Sequence, residues 1–273
     1  MSRFEGLISG TNVERKHAAR GGKLSFGLKL LDAMTDGGIP RRGIVEMAGD
    51  PGTGKTQIAL KLALEAQRQV PGTSVVFIST EHPFPSGRLL QMEAALKRQH
   101  PHDPFVQQHN FADRILVEHV KCVLSLMNCL FQQLPNLLES TPVSLLIIDS
   151  MTGPFIGEDD YIGRADTYRL IVKHLQLFQE QYNMAVYVNN QVRCLIDSSG
   201  SQTKDKYIPA LGLSWSSLVH TRLQLYRNEG KYKRCNVVFG PTIGPAHGVF
   251  QIDESGPCDV PDLPLGHMPD MNE

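Results

Sequence analysis

Cysteine is scarce and unpatterned. The five residues Cys122, Cys129, Cys194, Cys235 and Cys258 are odd in number and scattered, with no Cys-x-x-Cys pair. This argues against both a disulfide scaffold and a zinc site, and it fits a reducing compartment. An excess of one charge is also lacking. The formal net charge is −1, so no overall electrostatic footprint points to nucleic acid or an anionic membrane surface, and any such binding must be local. Long hydrophobic runs are missing too. The apolar stretches around Cys122 to Phe131 and Val143 to Ile148 are far shorter than the roughly 20 residues of a membrane-spanning helix. With no hydrophobic region of a signal peptide at the N-terminus, the expectation is a soluble intracellular protein without membrane contact. No internal repeat stands out.

What is present centres on Gly49-Asp50-Pro51-Gly52-Thr53-Gly54-Lys55-Thr56, a glycine, four free positions, then Gly-Lys-Thr. An apolar stretch from Ile44 to Ala48 precedes it. A segment with helical spacing (Ile58, Leu62, Ala63, Ala66, Val70) follows. Triphosphate oxygens require many fixed donors and a compensating charge without bulky side chains in the way. Gly52 and Gly54 permit close backbone approach, and successive N–H groups with the positive end of the following helix face the anion. Lys55 adds a point charge near the β- and γ-phosphates, and the Thr56 hydroxyl is placed for magnesium. A glycine-rich turn before an ordinary helix is the bland alternative, and the strand-loop-helix context outweighs it.

The rest of the chain reads as an α/β fold with a mostly parallel sheet flanked by helices and an antiparallel hairpin near the end. Residues 1–22 form a polar, basic arm, 23–252 the core, and 253–273 an acidic, proline-rich tail expected to be disordered. Leu24, Leu28, Leu31 and Met34 recur at helical spacing. Val75 to Ile78 is a buried strand delivering Ser79, Thr80 and Glu81 to its C-terminal end, where ligands sit in open α/β sheets. A glutamate there can activate an attacking water, although alone it reads as a solvated loop carboxylate. Helices are expected over about 88–98 and 121–134, with Cys122 and Cys129 as core fillers on one face. Val143 to Asp149 is a second buried strand, and its terminal acid lies beside the magnesium shell in a phosphate-loop protein. A helix of about four turns runs to Tyr182. Met184 to Val188 is a strand leading to Asn189-Asn190-Gln191, residues 193–215 form a long loop, and Thr221 to Tyr226 with Tyr232 to Phe239 form the hairpin.

Taken in order, Leu24 to Asp32 with Gly37-Gly38-Ile39-Pro40, the loop ending Gly54-Lys55-Thr56-Gln57, Thr80-Glu81, Asp149-Ser150, Asn190-Gln191-Val192 and Ala210 to Trp215 resemble the eukaryotic RecA-like recombinases. The likeness spans about residues 23–252. In detail the sequence looks nearest to their paralogues of the X-ray-repair cross-complementing group three type. The resemblance implies a RecA-like P-loop ATPase core for homologous-recombination repair of double-strand breaks and for meiotic recombination, using ATP and Mg2+ in the nucleus. Partners implied are other recombinase paralogues, the recombinase itself and single-stranded DNA. Gly49 to Gln57 (with Asp50, Pro51 and Thr53 among them) would hold the nucleotide, with Lys55 on phosphate and Thr56 and Asp149 on the metal. Glu81 would orient the attacking water, Gln191 would sense the γ-phosphate, and Arg88 would flank the adenine. Arg164 falls near an arginine of the first DNA-facing loop, or is simply a solvated loop residue.

Departures from the family pattern are equally informative. Only about 22 residues precede the core in this sequence, so an N-terminal helical DNA-binding domain is not expected. The cap that completes a neighbour's site carries an aspartate in the family, where this chain has Phe239. The run Glu158-Asp159-Asp160 in the first loop would repel phosphate backbone. These features imply a protein that joins heteromers more readily than self-filaments, with Leu7-Ile8 as a segment that could add a strand to a neighbour. The alternatives are a nucleotide-gated scaffold with little hydrolysis or DNA contact, and a non-recombination RecA-like regulatory ATPase.

Overall fold

Every residue from Ile44 to Gly49 is buried, as is required of a strand in the middle of a sheet covered on both faces. The computed structural model describes residues 22–157, 160–196, 202–228 and 230–261. In chain order the elements are α1 (Lys29–Met34), β1 (Ile44–Gly49), α2 (Lys55–Gln69), β2 (Ser74–Ser79), α3 (Ser86–Gln99), α4 (Pro104–Gln108), β3 (Ile115–His119), α5 (Val123–Asn128) and α6 (Leu134–Ser140). They continue with β4 (Val143–Asp149), α7 (Tyr161–Tyr182), β5 (Ala185–Asn190), β6 (Val192–Ile196), β7 (Gln202–Pro209), α8 (Gly212–Ser216), β8 (Thr221–Arg227), β9 (Tyr232–Phe239), β10 (His247–Asp253) and β11 (Gly256–Asp259).

Among the described residues β1–β5 and β8–β11 form a nine-stranded sheet in the order β11-β10-β9-β8-β1-β5-β4-β2-β3. The strands from β8 to β3 in that order run parallel, and β9, β10 and β11 complete it as an antiparallel wing. Side-chain alternation divides the core in two. Leu145 and Ile147 of β4 join the cluster under α2 and α3, whereas Leu146 and Ile148 join the one under α5, α6 and α7. On α2, Ile58 and Leu62 are fully buried, each contributing about 1.5–3 kcal/mol.

Several expectations are corrected. The apolar repeat from Leu24 to Met34 is helical only over Lys29–Met34. Leu24 instead pairs with Ile39, through N–H···O bonds of 2.8 and 2.7 Å, and the Asp32 carboxylate accepts from Phe26 N at 2.7 Å, holding the preceding segment extended. The helix expected over 121–134 continues through a π-helical turn, Cys129–Gln133, to Ser140, with Pro135 in the first turn of α6 where its missing N–H is tolerated. Of its two cysteines only Cys129 is buried; Cys122 is exposed at the N-cap. Helix α7 has 22 residues, about six turns, because Asp160 caps it earlier than expected by accepting from Ile162 N and Gly163 N at 3.1 and 2.9 Å. Within the stretch from Arg193 to Trp215, β6 and β7 pair antiparallel and α8 follows.

The expected disorder from Asp253 does not hold for the first part of that segment. β11 pairs with β10, and the Asp259 carboxylate accepts from Lys29 N (2.9 Å) and Leu30 N (3.0 Å), capping α1. The arm with Leu7 and Ile8, the acidic pair Glu158-Asp159 and the chain after Pro261 lie outside the described residues.

Candidate nucleotide site

Parallel strands carry their C-terminal ends to one edge of the sheet, and the candidate residues meet there. β1 leads into the phosphate-binding loop, β2 into Thr80-Glu81, β4 ends on Asp149, and β5 leads into Gln191. Between them lies a cavity of about 580 Å3, lined by Gly52, Lys55, Thr56, Glu81, Asp149 and Gln191 among others. That is within the size range of small-molecule sites.

The loop is built for close approach. Gly54 has φ +105°, and a Cβ there would lie 2.7 Å from Ile252 Cδ1, so a side chain at this position would strain both backbone and wall. The Lys55 ammonium folds back over the loop, donating to Gly49 O (2.6 Å) and Asp50 O (2.9 Å). Burial holds its pKa below the ordinary lysine value and Arg227 pushes the same way, against the pull of Asp149, Glu81 and Asp50. A cation in this state gains from an arriving anion.

Opposite the lysine, Thr56 Oγ1 donates to Asp149 Oδ2 at 2.7 Å, and Asn189 Nδ2 donates to Asp149 Oδ1 at 2.9 Å. Burial raises the Asp149 carboxyl above its usual range, while the bonds from Asn189 and Thr56 and the charge of Lys55 draw it back and Glu81 adds to the rise. An oxygen pair of hydroxyl and carboxylate is the donor set magnesium takes alongside phosphate oxygens and water. Among the described residues no cluster of three or more His, Cys, Asp or Glu side chains could hold a metal ion by itself.

Glu81 lies between two neighbours. Its Oε1 accepts from Ser150 Oγ and its Oε2 from Gln191 Nε2. The approach depends on Gly153, where a Cβ would stand 2.6 Å from Thr80 Oγ1 and 2.9 Å from Glu81 Cγ. Arg88 is not among the cavity-lining residues. Its guanidinium donates to Gln57 Oε1 (2.7 Å) and to the carbonyls of Asp253 (2.6 Å) and Glu254 (3.1 Å), fastening the C-terminal hairpin beside the site.

Two contributors escape motif reading. Arg227, at the end of β8, donates through Nε to Pro51 O at 2.9 Å and so clamps the loop; its signal is topological, since β8 runs parallel beside β1. Thr152 accepts from Gln191 N at 2.9 Å and donates to Asn190 Oδ1 at 2.6 Å, and nothing local in the sequence marks it. Arg164 sits on α7 and donates to Tyr168 Oη at 3.1 Å. Phe239 packs its ring beneath the Arg222 guanidinium, 5.1 Å away. Among the described residues no helix is long and apolar enough to cross a membrane.

Comparison with known proteins gives the family. The family model described as Rad51 matches residues 20–260. The DNA repair protein XRCC3 of Mus musculus is 31% identical over 220 residues, covering 75% of this chain and 63% of the mouse protein, so the match spans just under two thirds of that relative. XRCC3 of Bos taurus is 30% identical over 256 residues, 88% of this chain and 75% of the bovine protein. The meiotic recombination protein DMC1 homolog of Lilium longiflorum is 27% identical over 268 residues, 94% and 73% of the two chains. With a mostly parallel RecA-like sheet and the Rad51 model matched over nearly all of the described chain, this protein belongs to the Rad51 family.

Proposed function

We propose that this chain is an ATP-binding, DNA-stimulated ATPase of the paralogue type, acting in the nucleus as a mediator of homologous recombination in double-strand-break repair and meiosis. The observation that carries the reading is the convergence of Lys55, Thr56, Asp149, Glu81 and Gln191 on one cavity. Backbone N–H groups of the loop and the Lys55 ammonium would bind the β- and γ-phosphates. Thr56 and Asp149 would hold magnesium, which supplies charge neutralisation at the phosphates. Each Glu81 oxygen keeps a second lone pair beyond its present bond, so the carboxylate can orient a water and accept its proton. Gln191, bonded to Glu81, stands where it can register the γ-phosphate.

The partners proposed are other Rad51-family paralogues, the recombinase and single-stranded DNA. Phe239 supports heteromers: an aromatic ring packed under Arg222 offers a neighbour's nucleotide no carboxylate, so this chain completes an adjoining site poorly.

Calorimetric titration with Mg-ATP tests the nucleotide reading. The parent protein binds, and Lys55→Ala weakens binding by about tenfold or more, which is ~1.4 kcal/mol; a parent that takes up no nucleotide sinks the proposal. Size-exclusion chromatography with light scattering tests the partner reading. The expected result is a discrete heteromer with a Rad51-family partner, tightened by ATP. Long self-assemblies on single-stranded DNA are the contrary result.

A further inference from the structure

A buried carboxylate lies behind the nucleotide site. Glu46, on β1, is fully buried. Its Oε1 accepts from Asn190 Nδ2 and from Trp215 Nε1, both at 2.6 Å, and its Oε2 accepts from Arg222 Nε. Asn190 is itself held by Thr152, whose hydroxyl donates to Asn190 Oδ1 and accepts the backbone N–H of Gln191. The path from Glu46 to Gln191 is therefore continuous hydrogen bonding through side chains 0% exposed at Asn190 and 6% at Thr152.

We infer that Glu46, Asn190 and Thr152 are positioning residues that fix the Gln191 backbone against Glu81 and tie its position to α8. The inference rests on the nucleotide-site reading above. Buried polar groups in a dry network cannot move singly, because each displacement strands a partner without solvent to replace it. A shift of the Gln191 backbone toward a phosphate breaks its N–H bond to Thr152 unless Thr152, Asn190 and Glu46 follow. Glu46 in turn holds Trp215 of α8 and Arg222 of β8. Arg222 also donates to Ser216 Oγ at the end of α8. The carbonyl of Gln191 accepts from Ala210 N at 2.8 Å, which joins the start of β6 to the end of β7 at this unit. The positions of Gln191 and Trp215 are thereby linked through side chains.

Trp215 is the sole tryptophan of the chain, so its emission reports on the network directly. The experiment compares the full chain with Thr152→Val, Thr152→Ser and Glu46→Gln, measuring affinity for ADP and for a non-hydrolysable ATP analogue, Trp215 emission with each, and ATP turnover. In the parent, emission with the two nucleotides differs. Thr152→Val keeps affinity within about threefold but loses that difference and slows turnover by about tenfold, Thr152→Ser restores both, and Glu46→Gln behaves like Thr152→Val. A Thr152→Val protein with parental emission response and turnover overturns the inference. So does one that loses nucleotide affinity and thermal stability in step with turnover, since that marks a purely structural role. A parent that binds both nucleotides with identical Trp215 emission removes the inference and leaves the proposed function standing, whereas a parent that binds neither removes both. In a parent that binds without turnover, the emission response alone decides.

Discussion

His109 illustrates how a side chain remote from the site sets a measurable property. Its ring stacks on Phe105 with centroids 4.7 Å apart, and Nε2 lies 2.8 Å from Gln67 Oε1. Burial, reinforced by Arg114 and Lys97 against the opposing pull of Glu93, lowers its pKa below the histidine value of 6.5. The neutral ring is thus favoured in the fold. Its contribution is complete above the unfolded pKa and is lost as pH falls through the lower folded value, because the unfolded chain then binds the extra proton. Melting temperature measured from pH 7 to 5 should fall, and His109→Gln should flatten part of that fall; an unchanged slope contradicts the assignment. At this scale the site residues divide by the kind of signal they leave. Loop spacing singles out Lys55 and Thr56 and a strand end singles out Asp149, whereas Glu81 and Gln191 were given roles by the family resemblance; the structure brings all five to one cavity. Arg227 and Thr152 were not legible, because their roles come from the strand beside β1 and from a hydroxyl bonded to the backbone of a residue far away in sequence.

Elements were legible where burial was uniform and obscure where tertiary contacts decide. The buried strands β1, β2, β4 and β5 announce themselves as short runs rich in apolar and β-branched residues, β1 being interrupted by Glu46. The β6–β7 hairpin does not, since Gln202–Pro209 is polar for much of its length and lacks the alternation of a half-buried strand. The C-terminal strand β11 was hidden by its prolines and acids, because its value lies in what Asp259 does for a helix at the other end of the chain. Local periodicity cannot show a cap supplied from 230 residues away. Asp259→Ala strands Lys29 N and Leu30 N, and should cost about 1 kcal/mol. Urea unfolding would show this as a lower midpoint with an unchanged slope; no change in midpoint would mean that water replaces the cap without loss.

For the whole molecule, the sheet order places every group proposed to face phosphate at one edge and the Arg88-fastened hairpin beside it, so the proposed nucleotide site and the C-terminal wing share a boundary. Membership of the Rad51 family accounts for that layout. The central claim is that Glu81 acts on water while Lys55 holds phosphate. Glu81→Gln tests it most directly. The amide retains the size of the side chain and can still meet Ser150 and Gln191, but it cannot accept a proton. Measured together on one preparation, Mg-ATP affinity should stay within about threefold of the parent while single-turnover hydrolysis, with single-stranded DNA present, falls by about a hundredfold. Hydrolysis at the parental rate, or affinity and hydrolysis lost in equal measure, would contradict the account.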